Sequence, residues 1–187
     1  KTDSNRWFYS IKRYAGILSI HAWDYCKRKF WNTRRHQIFR EKIMQLSRNF
    51  SLAEMVKSQT AERKGIPNQP NDEQIESMVM LCKNILQPVR EEFGSFIVSS
   101  GFRSPELCIS IGSKVTSQHA KGEAADFEVA GYDNHDLCVW IQDNLVFDQL
   151  ILECYNGEMN SGWVHCSYAA TDNRADVLTY DRTNGYR

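Results

Sequence analysis

From residue 49 to residue 168 the apolar positions follow two different periods, and the change from one to the other marks out the elements. Ile75, Met78, Val79, Cys82, Ile85, Leu86, Val89 and Phe93 recur at three- and four-residue steps. This spacing predicts a long helix capped at Asn71/Asp72, kinked at Pro88 and stopped at Gly94. Ahead of it, Ser51-Leu-Ala-Glu54 has the form of a capping box and opens a short helix running to about Ser58. The stretch 65–70 (GIPNQP) is a turn-rich connector. Beyond the long helix, 95–100 (SFIVSS) reads as a buried strand, and 105–111 as a short helix with proline in its first turn. Residues 124–129 are strand-like, and 133–145 read as a helix with Leu137, Val139, Trp140, Ile141 and Leu145 as its apolar residues. The runs 147–153 and 163–168 are strands joined by the glycine- and asparagine-containing loop 154–162. Helices first, then strands interleaved with helices and one late hairpin, predict an α+β fold: a small, largely antiparallel sheet flanked by helices.

Charge divides the chain more sharply than periodicity does. Over 187 residues, 23 Lys+Arg balance 23 Asp+Glu, which taken alone argues against a strongly basic nucleic-acid binder. The balance is a cancellation. Residues 1–43 hold 11 basic against 3 acidic side chains, a net of +8, and residues 44–187 hold 12 against 20, a net of −8. The first segment also carries nine aromatics without a sustained helical or strand period. It is expected to be a basic aromatic arm, with 44–187 as the folded domain. Three readings of the arm stand side by side: a contact for an anionic polymer or surface, a poor signal peptide interrupted by His21, or translated leader sequence ahead of Met44. The last is preferred, because Arg40-Glu41-Lys42 can be encoded by an all-purine run such as precedes a bacterial start codon.

Six cysteines (26, 82, 108, 138, 154 and 166) form no CxxC pair. Cys82, Cys138 and Cys166 fall at apolar positions and are expected to be reduced core residues, as in a protein made in a reducing cytoplasm. No window approaches 18 consecutive apolar residues, so no membrane-spanning helix is expected.

Candidate chemistry gathers in the second half of the chain. His119 lies in a glycine-containing loop, Ser117-Gln-His-Ala-Lys-Gly122, that leads directly into the strand carrying Asp126. In Trp163-Val-His165-Cys, strand alternation places Trp163 and His165 on one face, Val164 and Cys166 on the other. Two imidazoles and one carboxylate with a fourth position open would make a catalytic zinc site. Glu153, at the end of the neighbouring strand, would then suit the general base, with Glu158 as the alternative. A strand histidine can equally be a hydrogen-bonded core residue, and Asp126 can cap a strand end.

The ten residues Ser117-Gln-His119-Ala-Lys-Gly122-Glu-Ala124-Ala-Asp126 resemble the S-x-H-x-x-G-x-A-x-D signature of the zinc D-alanyl-D-alanine carboxypeptidase family. That family takes in bacterial peptidoglycan carboxypeptidases and phage endolysins, and the Hedgehog signalling domain is its structural cousin. Ser100-Gly-Phe-Arg103-Ser, Phe147-Asp-Gln-Leu-Ile151 and Ser161-Gly-Trp-Val-His165 resemble its other motifs in the same order. The resemblance implies a Hedgehog/D-Ala-D-Ala peptidase-like fold with His119, Asp126 and His165 as ligands to Zn2+ and Glu153 as base. It makes Arg103 the group that polarises the scissile carbonyl or holds a substrate carboxylate. Ser117, Gln149 and Trp163 are expected to line the substrate cleft. The function implied is a zinc peptidase that cuts peptidoglycan stem or cross-link peptides as a phage or prophage lysis enzyme, monomeric and held in the cytoplasm until lysis. The alternative is a zinc-binding module without turnover or a virion component with the same fold.

Overall fold

A computed structural model describes residues 44–187, which fall in one compact unit. The expectations for residues 1–43 lie outside the described residues. The unit begins where Met44 accepts a hydrogen bond from the Leu52 amide and Gln45 bridges to Ser51. Ser51 and Glu54 cap each other's backbone as the sequence indicates, and the helix they open, α1 (Leu52–Met55), buries Leu52 and Met55. A second short helix, α2 (Gln59–Lys64), has no apolar period. It is defined instead by the Ser58 N-cap and by Gly65, whose φ of 65° ends it.

The long helix runs in three pieces: α3 (Asp72–Leu81), a π-helical segment (Cys82–Leu86), and α4 (Gln87–Phe93). Pro88 has no N–H to donate to the turn before it. The wider turn sits just ahead of it, with the Gln87 amide reaching back to Cys82 O, so the helix passes the proline through a π segment. After Gly94 follow β1 (Ile97–Ser100), α5 (Pro105–Ser110), α6 (Gln118–Lys121), β2 (Ala124–Glu128), α7 (Asn134–Asn144), β3 (Gln149–Glu153), β4 (Trp163–Ser167), β5 (Asp176–Asp181) and β6 (Gly185–Tyr186).

The six strands make one sheet in the order β1-β2-β4-β3-β5-β6. The sheet is mixed: β5 runs parallel to β3, and the other neighbours are antiparallel. Two expectations are corrected. The strand at 95–100 is an edge strand rather than a buried one, with Ile97 84 % exposed. The chain beyond residue 168 adds two further strands.

Alternation separates the two faces of the sheet. Ala125 and Phe127 of β2, Val164 and Cys166 of β4, and Leu150 and Leu152 of β3 all join the core. There they meet Met78, Leu81, Ile85 and Leu86 of the long helix, and Leu137 and Ile141 of α7. The intervening residues, Asp126, His165 and Glu153, are left to the opposite face. Among the described residues all cysteines are free, and Cys82, Cys108, Cys138 and Cys166 are buried. Burial pushes the Cys138 thiol up to about 12, so it packs as a neutral core group.

Candidate metal centre

Register brings the candidate residues together. Asp126 pairs with His165 across β2 and β4, and Ile151 pairs with His165 across β4 and β3. Glu153, two residues along, pairs with Trp163 and so shares the face of His165. His119 arrives on α6, whose Ser117 N-cap accepts from the His119 amide. All three of His119, Asp126 and His165 are buried.

The donor atoms form a small triangle. His119 Nε2 lies 3.1 Å from Asp126 Oδ1, His165 Nδ1 lies 2.8 Å from the same oxygen, and the two nitrogens are 3.2 Å apart. Neighbouring ligand atoms around a tetrahedral zinc at its usual bond lengths are separated by about 3.3 Å. Hydrogen-bond accounting fixes the polarity of this triangle. His119 Nδ1 is 2.7 Å from Gly101 O, a carbonyl that can only accept, so the proton is on Nδ1 and Nε2 points inward bare. His165 Nε2 is 3.1 Å from Gln118 Oε1, another acceptor, so in the neutral ring Nδ1 is the bare atom. Two imidazole lone pairs and a carboxylate oxygen therefore converge on one point. Acceptors so placed repel one another unless a proton or a metal ion sits among them, and a donor set of two imidazole nitrogens and a carboxylate oxygen at these separations fits a metal ion.

The electrostatics agree. Burial pushes the His119 imidazole below its ordinary value, against the pull of Asp126. Glu153 is pushed upward by its partial burial and by the charge on Asp126, against His165 and Arg103. A carboxylate with a raised pKa beside a metal-binding cluster is suited to taking up a proton.

Loop packing holds the set in place. Between Val98 and Ser100 the pairing of β1 with β2 carries a bulge, and Ser100 then faces Asp126. Ser100 Oγ accepts from Arg103 Nε at 2.9 Å, while Arg103 Nη2 donates to Asp126 Oδ2 at 2.5 Å. Arg103 thus steadies the outer oxygen of Asp126, and its Nη1 has no hydrogen-bond partner among the described residues. Gly101 lies so close to α1 that a Cβ there would come 2.4 Å from Met55 O, which is why glycine precedes Phe102 and Arg103. Asn68, in the turn-rich connector, donates to Val56 O and Phe102 O and accepts from the Ser104 amide, which fastens the same loop.

A family model for peptidase M15 matches residues 48–167. The chain belongs to the peptidase M15 family. The match bears out the resemblance carried by the ten-residue motif and its three satellites, and it makes the protein an M15 metallopeptidase. No curated protein matches the chain at a significant level. Within this M15 fold the structure gathers His119, Asp126 and His165 into one group able to hold a metal ion. Trp163 is half-buried beside Glu153. Gln149 pairs with Ser167, on the far side of Ile151 from Glu153. Ser117 has its hydroxyl on the His119 amide as a helix cap, and Glu158 is exposed in the hairpin loop. Sequence reasoning missed Gly101 and Gln118, which receive the outer N–H groups of the two imidazoles. Both lie inside the recognised motifs, and only a tally of each imidazole's second nitrogen would have found them. Among the described residues no helix is long and apolar enough to cross a membrane.

Proposed function

We propose that this M15 metallopeptidase is a zinc enzyme that hydrolyses peptide bonds in peptidoglycan stem or cross-link peptides, in the setting of phage or prophage lysis. The observation that carries the zinc reading is the inward-facing trio of acceptors on His119, Asp126 and His165, with Glu153 on the same face of the sheet. The peptidoglycan substrate rests on the motif resemblance.

His119 Nε2, His165 Nδ1 and Asp126 Oδ1 would hold the ion. Zinc supplies Lewis acidity toward a carbonyl oxygen and acidifies water. Glu153 accepts the proton of the attacking water and returns it to the leaving amine nitrogen, the role its raised pKa favours. Arg103, fixed through Nε and Nη2, presents Nη1 to the carbonyl oxygen on which negative charge develops or to a substrate carboxylate. Trp163 supplies an aromatic wall next to Glu153. The presence of Glu153 in this position favours turnover over a binding module that only retains the metal.

Purified peptidoglycan digested with and without a chelator, and read by mass spectrometry, tests the proposal. The expected result is a set of new peptide termini that disappears with chelation and with Glu153→Ala, while that variant keeps its zinc. Undiminished cleavage by Glu153→Ala refutes the assignment of the base, and intact wall peptides with the zinc-loaded protein refute the substrate class.

A further inference from the structure

The segment that follows the M15 match extends toward the metal centre through a continuous set of hydrogen bonds. Gln118 Oε1 receives the outer nitrogen of His165, and its amide nitrogen lies 2.7 Å from Asp148 Oδ2 and 2.8 Å from Ser167 Oγ. A carboxylate only accepts, so Asp148 holds Gln118 in a single orientation, with the NH2 group outward and the oxygen toward His165. Asp148 is itself gripped by Arg174, through Nε and Nη2 at 2.8 Å each, and Arg174 Nη1 reaches Asp176 Oδ2 at 2.8 Å. Arg174 and Asp176 both lie past residue 167, where the family match ends.

We propose that Gln118, Asp148 and Arg174 form a positioning relay that fixes the tautomer and ring orientation of His165, with its outer half supplied by the chain after the M15-matched segment. If the Gln118 amide turned over, its NH2 group would face the His165 N–H and its oxygen would face the Asp148 carboxylate. Both contacts would then be repulsive. Arg174 prevents the turn at one remove, because its two-point grip keeps both Asp148 oxygens in place. The relay rests on the zinc reading of the site, and it concerns how strongly the ion is held rather than whether one is held.

The test is zinc affinity by chelator competition, together with the visible absorption of the cobalt-substituted protein. Gln118→Met is expected to weaken zinc binding about 10–100-fold and to alter the cobalt spectrum, the range usual for partners of metal-bound histidines. Gln118→Glu is expected to do the same, because it sets two carboxylates against each other. Adding Asp148→Asn to Gln118→Glu restores one donor facing one acceptor and is expected to recover at least tenfold of the lost affinity, which a merely structural residue would not do. Should Gln118→Met not fold, Arg174→Ala, at a half-exposed position, carries the test with an expected weakening of fivefold or more. Wild-type affinity and spectrum in the folded single variants, or no recovery in the double variant, overturn the relay. A wild-type protein that binds neither zinc nor cobalt refutes the zinc reading instead.

Discussion

Replacing Gly162 with alanine would place a Cβ 2.1 Å from Glu153 O, 2.7 Å from the Tyr155 nitrogen and 2.8 Å from the Cys154 carbonyl carbon. All three are backbone atoms, so no rotamer change relieves the overlap. Ordinary contact begins at 3.4 Å, and the end of β3 must therefore recede by about 1.3 Å. Gly162 also has φ of +68°, where an L-residue costs roughly 1–2 kcal/mol. Overpacking against backbone adds about 1–3 kcal/mol. The sum of about 2–5 kcal/mol corresponds to a fall in Tm of roughly 4–20 °C for a domain of this size. The displaced residue is Glu153, the proposed base, and a misplacement of about 1 Å in a reacting group costs on the order of 100-fold in rate. His119 and Asp126 come from other elements and His165 is held between the fully buried Val164 and Cys166, so metal content should survive. The expected signature of Gly162→Ala is thus a folded, metal-loaded enzyme whose kcat falls about 100-fold on a wall-derived peptide, with thermal melts and metal analysis run alongside. A variant with kcat within about threefold of wild type, melting within about 2 °C of it, would refute the claim that this contact sets the position of the proposed base.

Three further outcomes follow from the same structure. Stripping metal with a chelator should lower Tm, and zinc at about 100 times its dissociation constant should return roughly 2.7 kcal/mol, read by calorimetry as a reversible shift. Arg174 holds the Asp148 carboxyl below its ordinary value, so this pair stabilises the fold above the unfolded carboxylate pKa of about 3.9 and ceases to do so as pH falls through the lower folded value. Arg174→Ala should consequently lose more stability at pH 6 than at pH 2, and equal losses at both in denaturant titrations would contradict the pairing. Phe127 is fully buried on the core face, so Phe127→Ala should cost about 3–5 kcal/mol in urea unfolding.

The candidate metal-binding group was legible because His119 and Asp126 lie in one contiguous motif, and because alternation in β4 already placed Trp163 and His165 together. Glu153 keeps the strand-end position expected of it, and Glu158 falls in the exposed hairpin loop. What sequence could not show depends on partners. An edge strand and a central strand are told apart only by what pairs with them, and 95–100 reads as apolar whichever it is. Helix α2 contributes only Ala61 to the buried set, so no periodicity announces it. Strands β5 and β6 lie at the margin of the sheet with mostly half-exposed residues, and Val177-Leu178 is too short an apolar run to mark a strand. The parallel pairing of β5 with β3 is likewise invisible without the crossing that connects them.

The strict alternation along β2, β4 and β3 has a consequence for how such a protein can change over time. Folding is guarded by one set of positions and chemistry by the set in between, so adjacent residues answer to different constraints. Substitutions at Ala125, Phe127, Val164 or Leu152 are screened by whether a chain folds at all, whereas under the proposed function those around Trp163 and Glu153 are screened by what it cuts. With Asp126, His165 and Glu153 kept, a lineage can therefore explore new peptide targets at the remaining positions on one side of three short strands while the other side stays fixed, and a designer can do the same by randomising around them.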